Sequence, residues 1–533
     1  MRTMSKTSIA CLLVLGLASS VYGQDKRSRH DFDFIRSSSP WMTSGNAAGL
    51  NATPVDRASM IEGTFTKEDG GIIGNEGSEN SFKVGAETES YLKISEKLYF
   101  HGKLSYSYFN GKDMGGSVMM NPLENPVNFY EVSDTTVGVK VREAYDLVGG
   151  LSYQVGKKLA IGAEIDYASI DQAKLKDPRF LNVRMNLDLN AGFRYTCCDA
   201  FSFGMSALYE RNIETFRGDV YGTTDKQYYS YVDYGGFLGT RELFDGTNGF
   251  VPTGDNRPMF NSLYGGSLQF EFGRKVRMFN SLTYKKRNGY FGNPGSSNVK
   301  FTEHSGDIFE YEGVITIDKG SSFHRIGLDF RYEGLSNLEN VYRHTTEVGS
   351  TTVVEYFTKN EILDRSDINA GLSYRGYLGV SEYLPKWEYG VDARYSDRRS
   401  VTTLYPFYRK SNTGAFAFSI DGKRNILSGK NLFSVMLQAD FLTGNGIPKE
   451  DGQFAESAEN SLHSIDNYMY REFEYLTASR VGAGLKFRYT RLFSDKIAGY
   501  VQLSDRFVSL TEKPEYLSNG SRNTLAITIG CTF

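Results

Sequence analysis

The feature that most constrains this chain is a two-residue alternation that recurs along most of its length. Near the C-terminus Leu525, Ile527, Ile529, Cys531 and Phe533 alternate with Ala526, Thr528, Gly530 and Thr532. The same rhythm sets Leu159, Ile161, Ala163, Ile165 and Tyr167 against Ala160, Gly162, Glu164, Asp166 and Ala168. It returns as Ile326, Leu328, Phe330 and Tyr332 facing Arg325, Gly327, Asp329 and Arg331, and again as Val481 to Tyr489 facing Gly482 to Thr490. Successive side chains of a strand point to opposite faces, so each row describes a strand between two unlike solvents. A soluble sandwich turns the apolar face into a core. An outer-membrane barrel turns it towards lipid and gives the polar face to the lumen.

Aromatic residues tend to close the apolar rows, as an interfacial girdle requires. Short turns near 95–97, 156–158, 196–199, 273–275, 318–322, 379–385, 422–429 and 491–496 alternate with longer stretches such as 214–260, 335–364 and 443–473. Short turns on one side and long loops on the other are the habit of an outer-membrane barrel. The expected fold class is therefore all-β: a transmembrane antiparallel outer-membrane β-barrel of about 16–18 strands with both ends in the periplasm. Its wall should occupy residues 58–533. The polar rows would line the lumen with Arg325, Asp329, Arg331, Arg375 and Arg394 among other charges of both signs. Mixed signs at that density suit ion-pair ladders or the grip on a plug better than a strongly ion-selective pore.

Composition agrees. The 533 residues are 40% hydrophobic and 14% aromatic, with 36 Tyr, 36 Phe, 56 Gly and only 12 Pro, yet the mean hydropathy is -0.40. A barrel wall looks soluble by that measure because only alternate residues meet lipid. A formal net charge of -3 gives no footing for nucleic acid. Four cysteines, one of them Cys11, exclude a disulfide scaffold.

Residues 1–23 read as a secretory signal peptide: Arg2 and Lys6, then a short apolar run from Ile9 to Ala18, then Val21-Tyr22-Gly23. Residues 24–57 show no strand alternation and form an N-terminal periplasmic or plug segment carrying Trp41, one of two tryptophans. Within it Ser44-Gly45-Asn46-Ala47-Ala48-Gly49-Leu50 resembles the "NPAGL" element of the long-chain fatty-acid transporter family, with Ala47 in place of the usual proline. In that family the element belongs to a hatch folded inside the barrel, which implies a plug role for Trp41, Asn46, Gly49 and Leu50. The whole layout also resembles uncharacterised Bacteroidota outer-membrane barrels, which implies location and architecture and no substrate. The last strand, ending in Phe533, resembles the insertion signal of such barrels and implies the barrel-assembly machinery as a partner. A TonB-dependent receptor would place a large globular plug ahead of 22 strands, which this chain does not.

An enzymatic reading needs a histidine near a nucleophile or a carboxylate pair. His30, His101, His304, His324, His344 and His463 are scattered; His304 and His344 fall in expected outer loops. No G-x-S-x-G, H-E-x-x-H or Walker-type loop occurs, so no catalytic, metal or cofactor residue is assigned. Cys197 and Cys198 sit in an expected turn without a second ligand pair.

The stretch 214–260 is rich in aromatics, including Tyr228, Tyr229, Tyr231, Tyr234 and Phe237. Tyrosines on a loop offer contact area to sugars, apolar ligands or partner proteins at low entropic cost. The bland alternative is a loop folded into the lumen as its own plug. Residues 443–473 are acidic and read as a solvated loop. The functional expectation is a channel or transport component, or an accessory subunit of a nutrient-uptake assembly for a small ligand. Its partners would be the outer-membrane bilayer and a TonB-dependent receptor or surface lipoprotein. The alternatives are a non-transporting surface scaffold or adhesin and, more remotely, an outer-membrane hydrolase.

Overall fold

The computed structural model describes residues 30–132, 136–222, 227–243, 257–293, 298–345, 353–456 and 464–533. The expected signal peptide over 1–23 lies outside the described residues, as does His463.

Eighteen antiparallel strands form one ring in which each pairs with its neighbours in chain order. The last, Ser521–Thr532, closes the ring on the first, Arg57–Gly70, in the register Met60↔Thr532 to Gly70↔Arg522. Closure leaves no edge, which is what a sheet surrounded by hydrocarbon needs. The outer rows are the apolar ones: Leu328 is 48% and Ile529 63% exposed, with Ile161, Ile165, Leu485 and Phe487 alongside. The intervening residues turn inward, where Arg375 pairs with Asp392 of the next strand and Arg194 and Lys423 meet Asn51 and Asp31 of the N-terminal segment. The expected fold class is the observed one.

This register makes a direct prediction. Leu328→Arg or Phe330→Arg puts a cation into the outer apolar belt and is expected to cost roughly 2–4 kcal/mol in lipid vesicles. Asp329→Lys or Asp329→Asn, one residue away, meets water and is expected to cost far less. Equal destabilisation of the two pairs, read from urea unfolding in vesicles, would reverse the in/out assignment of this strand.

The turns at the end carrying the termini are short, and six of the eight expected ones fall on them. The expected turn over 422–429 is strand as far as Ser428, and the expected turn over 196–199 is strand as far as Cys198. At the opposite end, here the loop end, two of the three expected long loops are mainly wall. Residues 335–345 and 353–364 belong to the tall strands Ser322–Thr345 and Val353–Leu378. Residues 443–453 continue the strand Asn431–Gln453, and residues 466–473 belong to a helix. Consequently the wall is lopsided: Val353–Leu378 has 26 residues, whereas Ser521–Thr532 has 12. His304 and His344 accordingly lie on strands, not in loops.

Little else is regular. Helix α1 (Phe32–Ser37) begins at Asp31, whose carboxylate accepts the Phe34 amide at 3.0 Å. Helix α2 (Pro40–Thr43) starts on a proline, where no amide is needed. A 3-10 turn over Ala47–Ala52 is capped by Asn46. Helix α3 (Asp466–Thr477) packs Met469, Phe473 and Leu476 at helical spacing. A three-stranded sheet of Asn128–Glu131, Tyr229–Asp233 and Gly239–Leu243 completes the described elements.

Candidate functional site

An 18-strand ring is wide enough to hold an aqueous channel unless something fills it. Here two separate segments of the chain do. At the terminal end the filler is the stretch from His30 to Thr53. Trp41 is 1% exposed; its Nε1 donates to Glu271 Oε2 at 2.7 Å, the Arg194 guanidinium lies 4.5 Å over its ring, and Phe279 meets it edge-on at 5.1 Å. Asn46 Nδ2 donates to Phe193 O at 3.0 Å and to Gln269 Oε1 at 3.1 Å, while Asn190 Oδ1 accepts the Ala47 amide at 3.1 Å. Ser152 donates to Ala48 O and Ser206 to Gly45 O, each at 3.0 Å. The wall is cut back to admit this chain: a Cβ on Gly162 would stand 2.3 Å from the Ala48 nitrogen. Gly49 is held to glycine by the same logic, since its Cβ would lie 2.2 Å from Trp41 O. Leu50 joins Met42 and Tyr91 in a small apolar cluster. The four plug residues expected from sequence thus sit together inside the ring.

Charge completes the seat. Lys423 Nζ lies 2.8 Å from both Asp31 Oδ2 and Glu388 Oε1. Burial works against the Asp31 carboxylate, yet Lys423 and the Phe34 amide hold it below the usual range. Arg36 reaches Glu89 at 3.6 Å, and Glu89 also takes His101 Nε2 at 3.1 Å and the Tyr91 hydroxyl at 3.0 Å. His101 in turn meets Glu164 through Nδ1 at 3.2 Å. Buried carboxylates need such partners. The grouping of His101 with Glu89 and Glu164 spans three strands, so only the strand register brings it together.

At the loop end a lid fills the mouth. Its core is Val118, Met119, Val127, Phe129, Val232 and Tyr234 against wall residues that include Phe216, Met259 and Phe291. The lid backbone before Asn128 is irregular, and its buried carbonyls must find donors. The wall supplies them. Arg365 donates to Leu123 O at 3.2 Å, to Glu124 O at 3.2 Å and to Asn125 O at 3.4 Å. Lys140 reaches Gly115 O at 3.1 Å and Ser117 O at 2.7 Å; Asn182 reaches Val118 O at 3.0 Å. Arg409, 1% exposed, donates to Gly236 O at 3.0 Å while holding Asp451 at 2.6 Å. Helix α3 is tied to the loops on either side. Glu472 accepts the Asn75 amide at 3.0 Å, and Glu474 accepts the amides of Glu515, Tyr516 and Leu517 at 2.8, 2.7 and 2.8 Å.

The aromatic stretch expected to meet a ligand from outside belongs largely to this lid. Tyr231 and Tyr234 are each 2% exposed, and Tyr231 donates to Phe237 O at 3.1 Å. Tyr228 packs on the lid core, Phe237 meets Tyr130 at a tilt with ring centroids 5.4 Å apart, and Tyr229 lies under Arg241 at 3.9 Å. As outward contact residues Tyr231 and Tyr234 are therefore withdrawn: their rings are spent on filling the mouth.

Between the two closures the wall carries a ladder. Lys285 bridges Glu210 at 2.9 Å and Glu310 at 3.1 Å; Arg331 joins Glu310 at 3.3 Å to Glu333 at 2.7 Å; Arg287 links Glu333 at 2.7 Å to Glu124 O of the lid. Arg325 faces Glu312 at 3.7 Å, and Arg375 joins Asp392 at 2.6 Å to Asp421 at 2.7 Å. Asp329 and Arg394 have no salt-bridge partner among the described residues.

The hatch does not seal the lumen evenly. On one side of α1 two adjoining spaces of about 310 and 240 Å³ separate Asp33 from the wall. Lys486 and Arg488 stand on that wall. Arg488 donates to Gln502 at 2.9 Å and lies 4.4 Å over Tyr500, but neither cation has a carboxylate within salt-bridge distance among the described residues.

With this geometry in place, a family model described as a family of unknown function, DUF6850, matches residues 47–533. The chain belongs to the DUF6850 family. A search of curated proteins returns no match for this DUF6850 member. Solved structures similar to it include the outer membrane transporter YddB from Escherichia coli, at 7% identity and a TM-score of 0.42, covering 89% of this chain and 81% of that one. Another is BauA, the ferric preacinetobactin receptor from Acinetobacter baumannii, at 8% identity and a TM-score of 0.37, covering 90% and 80%. A third is the ferric-catecholate import receptor Fiu from E. coli K12, at 8% identity and 0.37, covering 89% and 81%. The resemblance of Ser44–Leu50 to fatty-acid transporters rests on those residues alone.

Proposed function

We propose that this barrel sits in the outer membrane of a Gram-negative cell and passes a small anionic solute along the side of its hatch. The observation that carries this reading is the gap beside α1 with Lys486 and Arg488 on its wall. Most charges on this gap neutralise one another; of those without a salt-bridge partner among the described residues, Lys486 and Arg488 outnumber Glu62, which gives the gap a net positive bias. A lumen lined by one sign of charge in a low-dielectric wall concentrates the opposite ion. Hydrogen bonds and ion pairs, which water can replace, hold much of the hatch and lid, and this suits closures that move better than a permanent filling. The apolar belt and the signal sequence expected over 1–23 support the location. The barrel-assembly machinery as inserting partner, and a TonB-dependent receptor or surface lipoprotein at the loop end, belong to the same proposal.

The test uses a variant in which both closures have been removed. In a potassium chloride gradient across a planar bilayer, its reversal potential is expected to show anion preference, and Lys486→Glu with Arg488→Glu is expected to abolish or invert it. Selectivity unchanged by the pair would remove the anionic reading. A doubly opened variant that conducts nothing would favour the scaffold alternative.

A further inference from the structure

Beneath the lid, away from the hatch, lies a cavity of about 110 Å³ between the lid loop, the small sheet and α3. Leu363, Phe237, Met469, Phe473 and Leu476 make most of its surface apolar. Its polar groups are unevenly spent. Arg365 and Arg398 line it, but both hold Asp367, and Arg365 also serves three lid carbonyls. The two cations therefore have little left to offer. Acceptors are in surplus. Glu472, 4% exposed, takes the Asn75 amide on Oε2 at 3.0 Å and leaves Oε1 without a partner. Asn128, also 4% exposed, gives its Nδ2 to Pro122 O at 2.5 Å and leaves Oδ1 without a partner. Asp233 adds a second buried carboxylate, held by the Gly235 amide at 2.9 Å.

A buried acceptor left unmade costs on the order of 1–3 kcal/mol, and more if charged. Of the three lining side-chain atoms without a hydrogen-bond partner, the one donor, Arg365 Nε, already lies 3.0 Å from the Asp367 carboxylate, and the other two, Glu472 Oε1 and Asn128 Oδ1, are acceptors that suit a cation carrying only donors. An inorganic ion fits poorly. Hard cations want six or more oxygens, and no group of three or more acidic, histidine or cysteine side chains among the described residues could hold a metal. The apolar remainder of the wall calls for hydrocarbon. Since a water needs roughly 10–15 Å³ of such space, roughly seven to eleven heavy atoms fill it.

We infer that this cavity is a binding site for a small organic ammonium ion, its N–H groups shared by Glu472 Oε1 and Asn128 Oδ1 and its hydrocarbon body against Leu363, Met469 and Phe473. Burial, reinforced by the neighbouring Glu76, pushes the Glu472 carboxyl up to about 7, against the Asn75 amide, Arg471 and Arg398, which lower it. Burial raises Asp233 to about 7 in the same way. A bound ammonium would favour the ionised form of both.

Titration calorimetry on the full barrel in detergent, against a micelle blank at pH 8, tests this with three probes of one shape: cyclohexylammonium, cyclohexanol and cyclohexanecarboxylate. Saturable heat is expected for the ammonium alone. Glu472→Gln is expected to weaken it at least tenfold, and Leu363→Trp, which fills the cavity without touching its charge, to remove it. Heat-modifiable migration confirms that each variant is folded. Equal binding of alcohol and ammonium, undiminished ammonium binding in both variants, or no saturable binding to the native protein would overturn the proposal. Calcium or potassium binding lost in Glu472→Gln would also overturn it, in favour of an inorganic occupant. Binding is read without permeation, so failure of the transport reading leaves the result intact.

Discussion

Removal of residues 521–533 is expected to leave no folded barrel in the membrane. The strand Ser521–Thr532 is paired on both sides, to Ala498–Leu510 from Ser509↔Ser521 to Ala498↔Thr532 and to Arg57–Gly70 from Gly70↔Arg522 to Met60↔Thr532. Its loss exposes two rows of amides and carbonyls in hydrocarbon. Each unsatisfied group there costs several kcal/mol, so a few already exceed the roughly 5–15 kcal/mol that typically separates folded from unfolded states. Phe533→Ala is milder. It keeps the backbone bond from the Phe533 amide to Ser59 O at 3.0 Å and loses the ring that lies under Arg57 at 5.2 Å. A reduced yield of otherwise normal barrel is expected. A wild-type level of heat-modifiable protein after deletion of the whole strand would refute closure by this pair.

The second large effect concerns conductance. Deleting residues 24–53 alone should leave the lumen blocked by the lid, and replacing the lid segments between Met114 and Gly138 and between Asp219 and Arg257 with short glycine-serine turns should leave it blocked by the hatch. The two changes together are expected to give frequent large openings in single-channel recordings. The wall should survive both, because its hydrogen bonds run from strand to strand. The hatch seat shows why one change is insufficient: Trp41, Asn46 and Asp31 contact only the terminal half of the wall, whereas Arg365, Lys140 and Arg409 hold the lid from the other half. Full opening by the hatch deletion alone would show that the lid is not a closure.

How much of this could be read from the residues depended on where lipid lies. Between Leu159 and Tyr167, or Val481 and Tyr489, one face meets lipid and the other water, and the alternation is plain. Near Lys359, Asn360 and Glu361 the wall stands clear of the belt with polar residues on both faces, and strand became indistinguishable from loop. The lid escaped for another reason: its loop is irregular and punctuated by Pro122 and Pro126, so no period announces it. Helix α3 did carry a signal, in Met469, Glu472, Phe473 and Leu476 at helical spacing, masked by an acidic surrounding stretch. His101 carried none, because Glu89 and Glu164 are neighbours only after the strands are aligned. That the segment carrying Trp41 and Asn46 lies against the inner wall was signalled by Trp41, an aromatic ill suited to a solvated leader.

The unequal strand lengths have a consequence for how anything reaches the mouth. At about 3.4 Å per residue and a tilt of roughly 40°, the 26-residue strand Val353–Leu378 stands roughly 65 Å tall and the 12-residue strand Ser521–Thr532 roughly 30 Å. An apolar band is about 25 Å high, so in the proposed orientation one flank ends near the membrane surface while the other rises as a screen. Arrivals come from the low flank, across the loop that Glu474 clamps. Under the proposed transport role, a neighbouring protein would have one azimuth to dock from, fixed by wall height before any side chain is recognised.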